Sequence, residues 1–137
     1  MATIKRFEDL EVWKKARILA NDVWEIINDG TLSKDFRLRD QMNGSSGSIM
    51  DNIAEGFERS SRLEFINFLS IAKGSAGELR SQFYRATDRK HISQEKFQEL
   101  FDKAEEISKM IGGFIDYLNE SEIRGKKFEN RTKLPTR

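Results

Sequence analysis

Apolar residues recur along this chain at the three- and four-residue spacing that is typical of an α-helix. One run keeps an unbroken 4-3-4-3-4-3 spacing, which is the seam of a helical bundle. Its members are Phe65, Leu69, Ala72, Ala76, Leu79, Phe83 and Ala86. Ser61 and Glu64 precede the run as an S-x-x-E capping box, a signal that starts a helix. The pattern predicts a long helix over about residues 62–89.

Three other segments have the same periodicity and predict three more helices. These segments cover about residues 7–29, 34–57 and 94–119. Asp29-Gly30 ends the first helix, because Gly30 is free to take the left-handed conformation. Ser33 is the expected N-cap of the second helix and Gly56 is expected to end it, whereas Ser93 is the expected N-cap of the fourth. Four helices with short turns predict an all-α protein, an antiparallel up-down-up-down four-helix bundle in one domain over residues 1–119.

The middle of the second helix is a poor helix-forming sequence of glycines and serines over residues 43–48. We still predict helix there, because the apolar register before the run, at Met42, continues after it at Ile49 and Ile53. The third helix has its own cluster of small residues, residues 74–77. A short turn makes the second and third helices antiparallel neighbours, so we expect the two small clusters to lie close together.

The first and third helices also carry apolar residues outside the main seam. They are Val12, Leu19 and Ile26 on the first helix, and Ile66, Phe68 and Ile71 on the third. One interpretation is a second contact surface, and hence self-association. The other interpretation is a wide core face within one chain, and the sequence leaves both open.

Composition and charge narrow the class of protein. The 24 basic and 23 acidic residues give a net charge of +1, so bulk charge does not indicate nucleic-acid binding and a local basic patch would be needed. The absence of cysteine excludes disulfides and thiolate metal sites. Neither a signal peptide nor an apolar run of membrane-spanning length is present, so we expect a cytoplasmic protein without a membrane partner.

Little in the sequence indicates catalysis. His91 is the only histidine and lies in the turn between the third and fourth helices, where we interpret it as a surface residue. H-E-x-x-H and E-x-x-H motifs are absent, and the glycines of residues 74–77 lie within a predicted helix and not in a phosphate loop. We therefore predict a protein that is not an enzyme and has no metal site and no cofactor.

Basic residues gather beside the turn between helices two and three and in a tail over residues 120–137, which we expect to be flexible. A solvated surface accounts for most of them. The candidate nucleic-acid contacts among them are Arg59, Arg62, Lys126, Lys127 and Arg131. The polar residues nearest the turn, among them Asn52, Glu55 and Glu78, are better interpreted as stabilising the turn than as a partner surface.

A specific set of motifs lies between Gln41 and Ala86. It joins Asn-Ile-Ala-Glu-Gly at residues 52–56 to Arg59 and Ser61, and then to Phe-Leu-x-Ile-Ala-x-Gly-Ser at residues 68–75. With the opening Phe-Glu-Asp-Leu-Glu-Val-Trp at residues 7–13, this stretch resembles the four-helix bundle family encoded within 23S ribosomal RNA intervening sequences. The motif residues that we interpret as structural are Asn52, Glu55, Gly56, Ser61, Glu64, Gly74, Ser75 and Glu78.

The resemblance implies a left-handed antiparallel bundle that assembles as a ring-like homopentamer. It also implies a relation to the accessory protein of diversity-generating retroelements, which binds a reverse transcriptase and nucleic acid. Members often carry basic residues where this chain has residues 42–45, and this departure removes positive charge. Two hypotheses follow: a non-enzymatic oligomeric scaffold that binds RNA or a ribonucleoprotein, or an adaptor for a protein partner such as a reverse transcriptase.

Overall fold

The structure, a computed structural model, describes the backbone of residues 4–133 and the side chains of residues 4–121. Its α-helices are α1 (Glu11–Ile27), α2 (Phe36–Glu58), α3 (Arg62–Asp88) and α4 (Gln94–Lys133). Short 3-10 helices, Phe7–Asp9 and Gly30–Lys34, precede α1 and α2. Each α-helix packs against the next and α1 packs against α4, which leaves α1 and α3 diagonal to each other. The predicted all-α up-down bundle is confirmed.

The bundle core follows from the predicted seams. Every seam residue of α3 is buried, from Phe65 to Ala86. Val12 and Leu19 on α1 are only 4% and 0% exposed, so on this helix the additional apolar residues belong to a wide core face. On α3, by contrast, Ile71 is 51% exposed. Burial of a large aliphatic side chain stabilises the fold by about 1.5–3 kcal/mol, so these stripes supply most of the driving force.

The glycine- and serine-rich middle of α2 is helical, as predicted. Ser45 and Ser46 are buried, and Ser48 lies against Ser75 of α3 with 2.8 Å between the two hydroxyl oxygens. The two small clusters are therefore in contact. Tertiary packing and hydrogen bonds to α3 offset the poor intrinsic helix propensity of this run.

Three predictions about the helix ends are confirmed, although α1 itself ends at Ile27, before Asp29-Gly30. Gly30 has a φ of 54°, in the left-handed region. Ser61 caps α3 by accepting from the backbone N–H of Glu64 at 3.4 Å, and Ser93 caps α4 by accepting from that of Lys96 at 3.1 Å.

Two other predicted ends are wrong. The residue before α2 is Asp35, and Ser33 instead donates to the carbonyl of Gly30 within the 3-10 turn. Gly56 does not end α2, which continues to Glu58, and Ser60 takes the left-handed conformation with a φ of 57°. Asp35 is the N-cap residue by position, but its side chain does not cap α2 and instead binds other partners, which are described below.

Gly56 has a different role from the predicted one, since it sets the distance between two helices. A Cβ built on Gly56 would lie 2.6 Å from the Cβ of Phe68 and 3.0 Å from Cδ1 of Phe65. No real side chain fits at the first of these distances. The residue is glycine because α2 and α3 approach too closely for a side chain here, just before the hairpin turn.

The last helix extends beyond its predicted end at about residue 119. Arg62, at the start of α3, donates to the carbonyl of Leu118 at 3.5 Å, and the α4 backbone continues from there to Lys133. The expectation of a flexible tail over residues 120–137 falls partly outside the described residues and stays a prediction. None of the helices within residues 4–133 is long and apolar enough to cross a membrane.

Candidate functional site

A line of hydrogen-bonded polar side chains runs along the contact between α2 and α3. We call it the polar seam; it comprises Gln41, Ser45, Ser48 and Asn52 of α2, and Ser75, Glu78 and Arg85 of α3. At its centre Ser45 donates to a carboxylate oxygen of Glu78 at 2.7 Å. Towards the hairpin, Asn52 donates to the Ser48 hydroxyl at 2.9 Å, and Ser48 meets Ser75. Towards the opposite end, Arg85 donates to the Gln41 side-chain oxygen at 3.0 Å.

A groove of about 290 Å³ opens over the polar seam between Ser45 and Arg85. Gln82 lines it and is only 5% exposed, yet its side-chain oxygen has no hydrogen-bond partner among the described residues. A buried acceptor without a partner costs about 1–3 kcal/mol, so it is rare in native proteins. The groove is lined by the Glu78 carboxylate and the Arg85 guanidinium, whereas the Gln82 oxygen itself is closed to solvent.

The family-motif residues occupy several structural roles around this seam. Asn52, Ser75 and Glu78 belong to the seam, Gly56 sets the helix approach, and Ser61 caps α3. Glu55 and Glu64 both face Arg59, at 3.0 Å and 3.6 Å from its guanidinium nitrogens. Gly74 is different, because a Cβ there would meet nothing within 4 Å.

A second polar cluster joins the two connections at the other end of the bundle. His91 Nε2 lies 2.9 Å from Asp35 Oδ2, and His91 Nδ1 lies 2.8 Å from the Thr31 hydroxyl. Arg89 also donates to Asp35 Oδ2 at 2.9 Å. A neutral imidazole protonated on Nε2 satisfies both contacts, donating to Asp35 and accepting from Thr31. The hydrogen bond from His91, followed by that from Arg89, lowers the pKa of the Asp35 carboxyl.

The order hydroxyl, imidazole and carboxylate in this cluster is also that of an acyl-transfer triad. In such a triad the carboxylate serves the imidazole, whereas the same oxygen of Asp35 here also accepts from Arg89. Each contact is accounted for by the joining of the α1–α2 connection to the α3–α4 connection. The interpretation of His91 as a surface residue is wrong, since its side chain is only 12% exposed.

The predicted nucleic-acid contacts lie in two places and differ in their surroundings. Arg59, at the hairpin, is paired with Glu55 and Glu64 and lies over the Phe68 ring at 5.1 Å from its centroid. The hydrogen bond from Arg59 to Glu55 raises the pKa of the guanidinium. Arg62 donates to Leu118 at the bundle end. Lys126, Lys127 and Arg131 lie on the α4 backbone, and their side chains fall outside the described residues.

Sequence reasoning missed Gln41, Ser45, Gln82 and Arg85 as parts of one groove. Gln82 sits between the seam residues Leu79 and Phe83, so periodicity alone placed it near the core edge. The usable signal was the spacing of Glu78, Gln82 and Arg85, which share one face of a helix. Among the described side chains of residues 4–121, no three histidine, cysteine, aspartate or glutamate residues form a group that could hold a metal ion.

Fold and seam together define a four-helix bundle protein whose central helix hairpin carries a polar groove. A family model described as "23S rRNA-intervening sequence protein" matches residues 8–113, and the chain belongs to that family. A similar solved structure is a protein of unknown function from the S23 ribosomal protein family of Bacteroides thetaiotaomicron. It is 25% identical with a TM-score of 0.70, and the match covers 77% of this chain and 95% of that one. No curated protein matches the chain.

Proposed function

We propose that the chain is a non-enzymatic, homo-oligomeric scaffold that binds RNA or a ribonucleoprotein through basic residues on the last part of α4. The observation that carries this proposal is the continuation of α4 to Lys133, past the contact between Arg62 and Leu118. Lys127 and Arg131 stand four positions apart on this helical backbone and therefore share a helix face, and Lys126 is next to Lys127 in sequence. Cations gathered on one part of a helix suit binding to neighbouring backbone phosphates.

Ion pairs within the bundle compensate the basic residue Arg59 at the hairpin, which favours the end of α4 as the RNA-binding region. Arg59 has two carboxylates within 3.6 Å, so its charge is largely compensated where a phosphate would approach. Many cations of the bundle are compensated in the same way, including Lys14, Lys96 and Lys109 beside neighbouring glutamates.

The RNA hypothesis is tested by measuring affinity for a 23S rRNA fragment between about 50 and 200 mM salt. Neutralising three phosphate contacts on single-stranded RNA lowers the slope of log affinity against log salt by about 2. We expect that decrease for the combined variant Lys126→Gln, Lys127→Gln and Arg131→Gln. The matched control neutralises Lys14, Lys96 and Lys109, removes the same charge, and should lower the slope much less. Undetectable RNA binding by the wild type at low salt would overturn the hypothesis.

Self-association is the second part of the proposal, and exposed apolar side chains support it. Ile18 and Trp24 of α1 and Leu63 and Ile71 of α3 are each more than half exposed. The family resemblance implies a ring-like homopentamer. Sedimentation velocity at micromolar concentration tests this part, and a clean monomer would refute it.

The alternative function is an adaptor for a protein partner, such as an accessory subunit of a reverse transcriptase. The same exposed apolar side chains favour it, because a hetero-partner would cover them equally well. Binding to a purified reverse transcriptase from the same genome, measured with and without RNA, separates the two functions. An adaptor binds the enzyme without RNA, whereas a pure RNA scaffold does not.

A further inference from the structure

A cluster of aromatic side chains lies on the surface between α3 and α4. The centroid of the Tyr84 ring is 4.9 Å from that of Phe97 and 5.6 Å from that of Phe101. Phe97 is buried, whereas Tyr84 is 52% exposed. Two ring contacts therefore hold Tyr84 in place while half of its surface stays in contact with water. An exposed ring in a fixed position is a surface on which another flat ring can stack.

Arg80 brings a positive charge to the same surface, because it stands four residues before Tyr84 on one face of α3. Its guanidinium carbon lies 5.9 Å from the centroid of the Phe101 ring, and within the described residues it forms no hydrogen bond or ion pair. Of its three guanidinium nitrogens only Nε is buried without a partner, so the two terminal nitrogens, which have no partner either, reach solvent. A ligand can bind this guanidinium without first breaking an ion pair.

A second cation extends this surface along α3. Lys73 stands seven residues before Arg80, on the same helix face and about 10 Å away along the axis. Its side chain reaches α4, since a Cβ built on Gly112 would lie 3.5 Å from the Lys73 Cε. Lys73 is exposed and forms no ion pair within the described residues. We call Lys73, Arg80, Tyr84 and Phe101 the aromatic–basic face.

The acidic residues beside Phe101 on α4 are engaged with other partners. Glu105 lies 3.7 Å from the Lys109 amino group, and Asp102 accepts from the Gln98 amide at 2.7 Å. The aromatic–basic face therefore combines two uncompensated positive charges with an exposed ring. Proteins that bind single-stranded nucleic acid use this combination, in which cations contact the phosphates and aromatic rings stack with the bases.

We propose that the aromatic–basic face binds a short segment of single-stranded RNA, with one base stacked on Tyr84 and backbone phosphates paired with Arg80 and Lys73. The phosphates complement both cations, and an unpaired base supplies the flat ring that stacking needs. The bases of a duplex stay stacked on one another, so a duplex can contact the cations but not stack on Tyr84. The inference rests on the proposed RNA-binding function, and it adds the strandedness of the RNA and a second contact region.

The aromatic–basic face and the basic end of α4 lie along the same helix. Helix α4 packs against α3 from Phe97, beside Tyr84, to Leu118, which accepts from Arg62, and then continues to Lys133. Asp88 follows Tyr84 by one helical turn on the same face of α3, so the positive surface ends there. A strand bound at Tyr84 and Arg80 therefore runs past Lys73 towards the basic end of α4.

The experiment measures the affinity of the full chain for a labelled oligouridylate and for an RNA duplex of the same length, by fluorescence anisotropy at fixed salt. Tyr84→Leu removes the ring and changes no charge. We expect it to weaken oligouridylate binding at least about fivefold, which is the effect of losing one base–aromatic stack, and to leave duplex binding unchanged. Tyr84→Trp keeps an aromatic ring and should retain the wild-type affinity for oligouridylate.

Two further variants separate stacking from charge and from general effects on the surface. Tyr117→Leu is the matched control, because Tyr117 is 56% exposed on α4 but lies beside Leu10 and Val12 at the start of α1. It should bind both RNAs like the wild type. Arg80→Gln should lower the slope of log affinity against log salt by about 0.7, whereas Tyr84→Leu should leave that slope unchanged.

The outcomes that would overturn this inference differ from those that would overturn the RNA-binding function. A wild type that binds neither RNA at low salt refutes both. A wild type that binds RNA while Tyr84→Leu keeps full affinity for oligouridylate refutes only the aromatic–basic face. Equal losses of Tyr84→Leu for the two RNAs, or equal losses for Tyr84→Leu and Tyr117→Leu, refute stacking on Tyr84.

Urea unfolding of each variant identifies any loss of folding. Arg80→Gln leaves all the rings of the cluster in place, so its salt slope tests the site even where Tyr84→Leu does not fold. A salt slope for Arg80→Gln equal to that of the wild type refutes the phosphate contact at Arg80.

Discussion

His91 and Asp35 stand 56 positions apart in sequence, and their side chains meet at 2.9 Å between Nε2 and Oδ2. The contact joins the connection between α1 and α2 to the connection between α3 and α4. Arg89 and Thr31 complete the cluster, so two loops at one end of the bundle share one hydrogen-bond network. Since both partners are less than a quarter exposed, the network is part of the fold and not a solvated surface contact.

The Asp35 cluster predicts a pH-dependent contribution to stability. The His91 and Arg89 hydrogen bonds lower the pKa of Asp35 from its ordinary value of 3.8. A carboxyl with a lowered folded-state pKa stabilises the fold above its unfolded pKa, and the contribution is lost as pH falls through the folded-state pKa. We expect Asp35→Asn to lower the urea midpoint at pH 7 and the difference from wild type to shrink below about pH 4.

Asp40→Asn is the matched control, because Asp40 is exposed and its partner Arg39 is a sequence neighbour. Its urea midpoint should stay close to that of the wild type across the same range. A difference between Asp35→Asn and wild type that persists undiminished to pH 2 would contradict the assignment of this pH dependence to Asp35.

Much of the fold was predictable from the sequence, because helical periodicity reports burial directly. The α3 seam, the helical glycine–serine run of α2 and the caps at Ser61 and Ser93 all followed from spacing and local chemistry. The His91–Asp35 contact did not, because it depends on how two loops meet after the helices have packed. Asp35 is an acidic residue near the start of a predicted helix, and nothing in the surrounding sequence indicates a partner in another loop. The groove at Gln82 was missed because periodicity ranks a residue by its position on the helix and ignores hydrogen-bond satisfaction.

The close contact between Gly56 and α3 predicts that Gly56→Ala destabilises the fold. Helix propensity alone predicts the opposite. Alanine at this position gains about 1 kcal/mol in helix propensity but places its Cβ against Phe68. Overpacking of this type costs about 1–3 kcal/mol, because the Phe68 Cβ can move only together with the α3 backbone. We expect Gly56→Ala to lower the free energy of unfolding in urea by up to about 2 kcal/mol net.

Gly113 is the control for Gly56, since a Cβ there would meet nothing within 4 Å. It lies on α4 and is not part of the α2–α3 hairpin. Gly113→Ala should raise the free energy of unfolding by up to about 1 kcal/mol. Equal effects of the two substitutions would show that the approach of α2 to α3 does not require glycine.

We expect neutralisation of Arg59 to change RNA binding only weakly, although this residue lies at the hairpin. Its guanidinium is compensated by Glu55 and Glu64, so neutralising it removes little net positive potential. We expect Arg59→Gln to change the salt slope of RNA binding by less than the combined α4 variant does per charge removed. Filter binding at several salt concentrations measures both slopes. A loss for Arg59→Gln as large as that for all three α4 residues would move the RNA site to the hairpin.

The buried side-chain oxygen of Gln82 predicts that one substitution at this position stabilises the fold. Methionine has nearly the length of glutamine and removes the buried oxygen that has no partner within the described residues. Removing that unsatisfied acceptor should stabilise the monomer by about 1 kcal/mol in urea. Gln41→Met is the matched control, and it should destabilise the monomer because the Gln41 oxygen accepts from Arg85 at 3.0 Å. A Gln82→Met protein that is less stable as a monomer would show that its side-chain oxygen is already satisfied.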